Sequence, residues 1–258
     1  MMAGERLAIP SSVSHRLLRS LPDLHAIYRS FDSRLQLIEV ETTSRPPVAA
    51  GEPPAAAGLF FSLGVDSYYS LLKNLRDHPD DDQSVSHLVM IHGFDVSHDD
   101  WDERFSPRML NAGERVARET GKTLLPVTTN LRTVTRALSR WNLSHGSALA
   151  SVALALDGLF TRVLVAAGTT YDQLYPWGSH PVLDPHWSSD RMAVVHDGCE
   201  LGRIDKIGVV AQSPLVLDTL KVCPYYNCGT CIKCLPTIID LMQIGALEAC
   251  STLPHTVD

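Results

Sequence analysis

Short apolar runs alternate with helix-length stretches from residue 59 to residue 211, and this alternation limits the fold more than any single motif does. Leu59–Phe61, His87–Ile91, Thr123–Thr128, Arg162–Ala166 and Met192–Val195 read as strands. Asp66–Arg76, a stretch from Ser106 to Thr120 with Pro107 at its first position, Leu131–Ser139, Gly146–Phe160 behind a Ser144 cap, Arg203–Ala211 and Pro236–Ile244 read as helices. Strands separated by helices predict an α/β fold, a doubly wound, Rossmann-like parallel sheet. Residues 1–42 form an accessory segment with a short helix at Val13–Leu21 and a strand at Leu35–Val40. Residues 43–58 hold two Pro-Pro pairs and read as a linker, 59–212 as the main domain, and 213–258 as a C-terminal segment. Ligands of such sheets bind beyond the carboxyl ends of the strands. Ser62–Ser67, His92–Asp95 and Gly168–His180 all follow strands, so three candidate sites fall at one sheet edge.

The first of these carries the most chemistry. Ser62-Leu63-Gly64-Val65-Asp66-Ser67 lies between a strand and a helix. Backbone N–H groups of such a turn and of the helix start converge on one spot, where the helix dipole also favours an anion. Ser62 and Ser67 add hydroxyl donors. A carboxylate at Asp66 would repel phosphate alone, but suits a site where Mg²⁺ lies between phosphates. An Asp66 that simply caps a helix is the plainer alternative. Near the same edge, Gly93 allows close backbone approach, and His92 is placed either to contact a nucleotide or to end a strand. Asp172 is placed to bind Mg²⁺ or a substrate nitrogen, or to form a turn. Lys206 is a candidate cation for a leaving pyrophosphate, or a helix-surface lysine. Tyr175 and Trp177 are candidates to stack on a planar substrate. His145 and Gly146 open a helix aimed at this edge, while His180 and His186 read as polar loop groups.

Cys223, Cys228, Cys231 and Cys234 place four thiols within twelve residues, with Gly229 inside the tight knuckle. Four soft ligands at this spacing suit Zn²⁺. Disulfides, a redox pair and an iron–sulfur cluster are the alternatives. No long apolar leader precedes residue 20, so disulfides are disfavoured. Cys199 and Cys250 lie apart. Both read first as small buried side chains; for Cys199 the alternative is an activated thiol, since it follows His196-Asp197-Gly198, a turn-like stretch.

The octet Phe60–Ser67 resembles the phosphate loop of the PP-loop ATP pyrophosphatases, usually Ser-Gly-Gly-x-Asp-Ser. Together with Cys228-Gly229-Thr230-Cys231-Ile232-Lys233-Cys234 it resembles the branch containing the 7-cyano-7-deazaguanine synthases. The resemblance covers roughly residues 58 to 245 in architecture. It implies ATP bound at Ser62–Ser67 and at His92 and Gly93, cleavage between the α and β phosphates, and a structural zinc. Gly168, Tyr175, Pro176 and Pro181 echo the family's substrate loop, whereas Trp177-Gly178-Ser179-His180 replaces its Asp-Cys-Arg. Leu63 stands where the family has glycine, so the loop is expected to be reshaped, with Leu63→Gly tolerated. The implied activity is adenylation of a small-molecule carboxylate or amide oxygen, with a nitrogen nucleophile then displacing AMP. Sulfur insertion through a Cys199 persulfide is the alternative, and a nucleotide-binding protein without turnover is the third.

Composition narrows the classes. At 258 residues, 45% hydrophobic and 20% charged, the chain suits a globular protein. A formal charge of −7 disfavours a nucleic-acid partner, whose phosphates need clustered Lys and Arg. The most apolar segment, Ala148–Phe160, is interrupted by Asp157 and is too short to span a bilayer. The expectation is a cytoplasmic protein acting on a small molecule, with a homodimer left open.

Overall fold

The computed structural model describes residues 1, 3–45, 56–96, 105–137 and 140–255. Its centre is a five-stranded, all-parallel sheet built from β3 (Ala57–Phe60), β4 (His87–His92), β5 (Thr123–Thr128), β6 (Arg162–Ala166) and β7 (Ala193–Asp197) in the order β5-β4-β3-β6-β7. Leu59 is in register with Leu88 on one side and Leu164 on the other. The chain runs outward through β3, β4 and β5, then crosses back to β6. Strand order therefore reverses between β3 and β6, and the crevice beyond their carboxyl ends is where such sheets bind ligands.

Alternation along the strands separates two cores. Leu59, Leu88, Met90 and Leu164 face α2 (Val65–Asp77), α3 (Phe105–Thr120), α6 (Arg203–Val210), α7 (Pro214–Thr219) and α8 (Cys234–Gln243). Phe60, Val89, Val163, Val165 and Val194 face α5 (Trp141–Ala155) through Ala148, Val152 and Ala153. Side chains that alternate faces along strands buried on both sides are what a doubly wound sheet requires. Among the described residues, 213–255 do not form a core of their own. Val216, Leu220, Ile238, Leu241 and Leu253 join the cluster around Leu59.

Several expected elements differ in extent. β3 starts at Ala57, inside the expected linker, of which residues 46–55 lie outside the described residues. α5 starts at Trp141 with Ser144 inside it, and ends at Ala155 rather than Phe160. Gly158 and the Asp157 turn, whose carboxylate accepts from Ser189, end it early. The expected helix Leu131–Ser139 shortens to α4 (Leu131–Thr135), and residues 138–139 lie outside the described residues. α7 was not expected, although Ser213 capping Val216 N with Pro214 at the first turn is an ordinary helix start. No helix among the described residues is long and apolar enough to cross a membrane.

The N-terminal segment also differs. β1 (Leu7–Ser14) and β2 (Val40–Arg45) form a parallel pair, where the expected strand was Leu35–Val40. α1 (His15–Phe31) continues through Pro22, ten residues past the expected end. Leu24 and Tyr28 pack on Leu183, with Trp187 beside them, and this burial offsets the hydrogen bond that proline removes. Asp190, from the main body, caps α1. It accepts from Ser14 Oγ (3.0 Å), His15 N (2.8 Å) and Arg16 N (3.0 Å). Burial works against this carboxylate, but the two amides and the hydroxyl outweigh it and hold its pKa below the usual range. A pKa depressed by folding stabilises above the unfolded value and is lost as pH falls through the folded one. The contact's contribution should therefore be complete above about pH 4 and weaken progressively below it. Asp190→Ala should raise amide exchange at His15–Leu17 about five-fold at neutral pH, matching a lost cap of about 1 kcal/mol. Exchange unchanged in the variant would dismiss the docking role.

Candidate functional site

The turn between β3 and α2 is built around one unusual residue. Leu63 takes a left-handed conformation, φ 63°, which costs a non-glycine residue on the order of 1–2 kcal/mol. Its side chain is 0% exposed, within the core beside Val65 and Tyr68, and its carbonyl accepts from Lys221 N at 2.8 Å. Burial and this hydrogen bond hold the strained turn. The backbone thus adopts at Leu63 the conformation that a glycine would give, and only the Leu63 backbone, not its side chain, is available to a ligand. The expected tolerance of Leu63→Gly is corrected accordingly. Relief of about 1 kcal/mol of strain is outweighed by a core cavity worth about 3–5 kcal/mol. The variant should melt several degrees lower; an unchanged melting temperature would contradict this packing argument.

Around Leu63 the loop is tied together weakly. Ser67 Oγ accepts from Ser62 N and donates to Gly64 O (3.3 and 3.0 Å), and Gly64 N donates to Ser62 Oγ (3.3 Å). Among the described residues no side chain caps α2, whose first turn holds Val65, Asp66 and Ser67. Its free amides face the strand-order reversal. Asp66 sits among cations: Lys206 Nζ lies 3.3 Å from Oδ1 and Arg203 Nη1 3.7 Å from Oδ2. Lys206 is not a surface residue. It is 1% exposed, donates to Ala167 O (2.6 Å) at the end of β6, and lies over the Tyr69 ring.

Two cavities meet at this loop. An apolar slot of ≈ 220 Å³ runs between the strand ends, walled by Phe60, Val89, Ile91, Phe94 and Leu149. A polar cleft of ≈ 390 Å³ lies on the other side, with Arg203, Lys221 and Lys233 on its walls. Ser62, Asp66 and Asp95 line both. Lys221 Nζ pairs with Asp95 Oδ2 at 2.7 Å. Burial pushes the Asp95 carboxyl up, but the Lys221 ammonium overrides it and holds the pKa below the ordinary range. Arg132 fixes this strand end by donating to the carbonyls of Phe94 and Asp95. Four cations (Arg203, Lys206, Lys221 and Lys233) thus stand around two carboxylates, an excess suited to a polyanion. Asp95 closes the His92–Asp95 stretch expected at this edge, but no role is assigned to it from sequence, and Arg203, Lys221 and Lys233 are not singled out there at all. The available signal for the two lysines is that they flank the cysteines.

The four cysteines converge. All four Sγ atoms lie within 4.8 Å of one another, Cys228 and Cys234 at 4.0 Å, and none is in a disulfide. Zn–S bonds of about 2.3 Å in a tetrahedron would place sulfurs about 3.8 Å apart, so the cluster is compatible with a bound metal such as zinc. Tyr226, Asn227 and Gly229 take left-handed conformations to form the knuckle. Amides of Asn227 and Cys228 donate to Cys223 Sγ. The Thr230 amide is the main donor that pulls the Cys228 thiol down to about 6, while burial pushes Cys234 up. Asn227 anchors the knuckle, accepting from Val222 N (2.8 Å) and donating to Leu220 O (2.8 Å) and Thr252 O (3.1 Å).

Other expected residues lie elsewhere. His92 is buried at the end of β4, where burial lowers its pKa, and it lines neither cavity. Gly93 has φ 102°, and a Cβ there would meet Thr129 O at 1.9 Å. Its role is close packing of the β4 and β5 ends rather than room for a nucleotide. Gly168 has open space around its Cα. Asp172 is exposed on a short 3₁₀ turn, away from both cavities. Tyr175 and Trp177 are exposed and meet at a tilt (centroids 5.4 Å apart, 57° between planes), with Trp177 edge-on to His145. Their loop is fixed behind by Asp184, which accepts from Ser179 Oγ and pairs with His196 Nδ1, both at 2.7 Å. His145 serves that loop too, accepting from Ser179 N while a Cβ on Gly146 would strike Gly178 O. Cys199 is 2% exposed, and burial raises its thiol pKa despite the nearby Lys206 ammonium, the opposite direction from that of an activated thiol. No protein-family model matches the chain, and neither does any curated protein.

Proposed function

We propose that the chain is an ATP-dependent, AMP-forming enzyme of the PP-loop type, which adenylates a small-molecule carboxylate or amide oxygen for replacement by a nitrogen nucleophile. One observation carries this reading: an apolar slot and a polycationic cleft meet at Ser62 and Asp66, beside an uncapped helix start at the strand-order reversal. A nucleotide has that division, a flat and largely apolar base on one side and a chain of anionic phosphates on the other. Ser62, Ser67 and the α2 amides would donate to phosphate oxygens. Asp66 and Asp95 offer carboxylates for Mg²⁺, which would neutralise phosphate charge when bound. Arg203, Lys206 and Lys221 would stabilise the charge that accumulates on pyrophosphate as its bond to the α phosphorus breaks and the substrate oxygen bonds there. The four cysteines would hold zinc as a closed, structural site. Tyr175 and Trp177 remain a stacking surface for a planar acceptor.

The burial and raised pKa of Cys199 weigh against a sulfur carrier. The test is pyrophosphate release from ATP across a panel of small carboxylates and amides, with ammonium or sulfide as nucleophile. Release that depends on a carboxylate or amide, with an amide or nitrile product from ammonium, is expected, and Cys199→Ser should keep most of it. No pyrophosphate with any acceptor, while ATP binds, would make the protein a nucleotide binder without turnover. A product only with sulfide, abolished by Cys199→Ser, would reinstate sulfur insertion.

A further inference from the structure

We propose that the four-cysteine segment is one wall of the anion cleft, so that metal retention and polyphosphate binding reinforce each other through Lys233 and Lys221. The inference rests on reading the cleft as a phosphate site, but adds a coupling that this reading does not require. Lys233 lies between two of the thiols, Cys231 and Cys234, and Lys221 precedes Cys223 by two residues. Both lysines line the cleft opposite Ser62, Gly64 and Asp66. Ile232, in the same knuckle, is 91% exposed at the cleft wall, so this stretch is held by its neighbouring cysteines rather than by burial of its own side chain.

The wall is joined to the phosphate loop at few points. Lys221 N donates to Leu63 O (2.8 Å), and a Cβ on Gly64 would lie 3.7 Å from Lys221 O. On the far side, Arg203 Nη2 donates to Thr237 Oγ1 (3.0 Å) on α8, the helix that begins at Cys234. Between these ties the chain passes through three left-handed residues, Tyr226, Asn227 and Gly229, and brings four sulfurs within 4.8 Å. Four thiolates so close repel one another unless a cation lies between them, and left-handed residues relax when nothing holds them. With the metal bound, the knuckle is closed and Lys233 is held at the cleft. A polyphosphate spanning from the α2 amides to Lys233 and Lys221 would hold the same knuckle closed from outside. Two ligands that favour one closed state must strengthen each other equally, whichever binds first.

The test uses full-length, zinc-loaded protein and inorganic tripolyphosphate as probe. Transfer of zinc to a chromophoric chelator is measured with and without the probe, in the wild type and in Lys233→Gln. Lys233 is exposed and ligates nothing through its side chain, and equal starting zinc content checks the variant's fold. Direct capture of zinc by the probe acts alike on both proteins, so their difference isolates the coupling. The expectation is that tripolyphosphate lowers zinc transfer about ten-fold more in the wild type than in Lys233→Gln, within the range of ordinary site coupling. Calorimetric titration of the zinc-loaded protein with the probe separates the two ways of failing. Probe that binds without differential protection of zinc overturns the coupling and leaves the nucleotide reading intact. Probe that does not bind overturns both. Coupling present in a protein that releases no pyrophosphate from ATP supports the inference and removes the enzymatic reading alone.

Discussion

Cys231→Ser should strip the metal from the protein and lower its stability far beyond what the side chain's surroundings would suggest. Cys231 is half-buried, and a lone serine at such a place would ordinarily change stability by within about 0.5 kcal/mol. As one of four sulfurs within 4.8 Å it would carry a share of a metal site whose closing contributes on the order of 10 kcal/mol. Cys250→Ser is the matched control. Its sulfur is fully buried in the core beside Thr252 and belongs to no cluster, so the variant should lose about 1 kcal/mol and keep its metal. Elemental analysis and thermal melting of both variants decide the matter. Full metal content in Cys231→Ser would end the ligand assignment, and iron in the wild type would replace zinc by a cluster.

Asp66→Asn should cut pyrophosphate release by roughly two orders of magnitude or more, the scale for removing one charge-stabilising element. The substitution keeps the shape and removes the negative charge between Lys206 and Arg203. Its cost to folding is also expected to be measurable. Lys206 is buried, and without the Asp66 carboxylate its ammonium keeps the Ala167 carbonyl and the Tyr69 ring but loses its nearest negative charge among the described residues. Breaking a fully buried pair costs about 3–5 kcal/mol, but Asp66 is 28% exposed and water will screen part of the loss, so about 1–2 kcal/mol is expected. Steady-state turnover and a melting curve on one preparation separate the two effects. Undiminished turnover would remove Asp66 from metal or phosphate binding.

What could be read from sequence followed residue periodicity. The inner strands β3, β4 and β6 announce themselves as apolar runs because their centres are buried on both faces, whereas the edge strands β5 and β7 are less buried and carry polar ends. The cysteine cluster was legible because all four ligands lie close in sequence. The cationic cleft was not, since Arg203, Lys221 and Lys233 come from three separate segments and single lysines carry no spacing signal. β1 was missed because Leu7–Ser14 is mostly exposed, so no alternation marks it. The short reading of α1 reflects a local rule, the cost of proline, overruled by packing of Leu24 and Tyr28 that only the tertiary structure reveals. Lys206 shows the same limit: one lysine in an amphipathic helix looks alike whether it faces water or points inward to a half-buried carboxylate.

The order of the strands also sets a timetable for folding. β3 lies at the middle of the sheet, yet the partner on its second edge arrives late; Thr161 and Ala56, which meet beside that edge, are 105 residues apart. At about 5–20 residues per second, a ribosome would leave the central strand with one open edge for several seconds. Leu59 and Phe61, on one face of it, would stay partly uncovered still longer, because α7 and α8, which complete that face, come last. A nascent chain of this topology should engage chaperones that shield strand edges. Truncation before α8 should yield aggregates rather than a smaller folded protein.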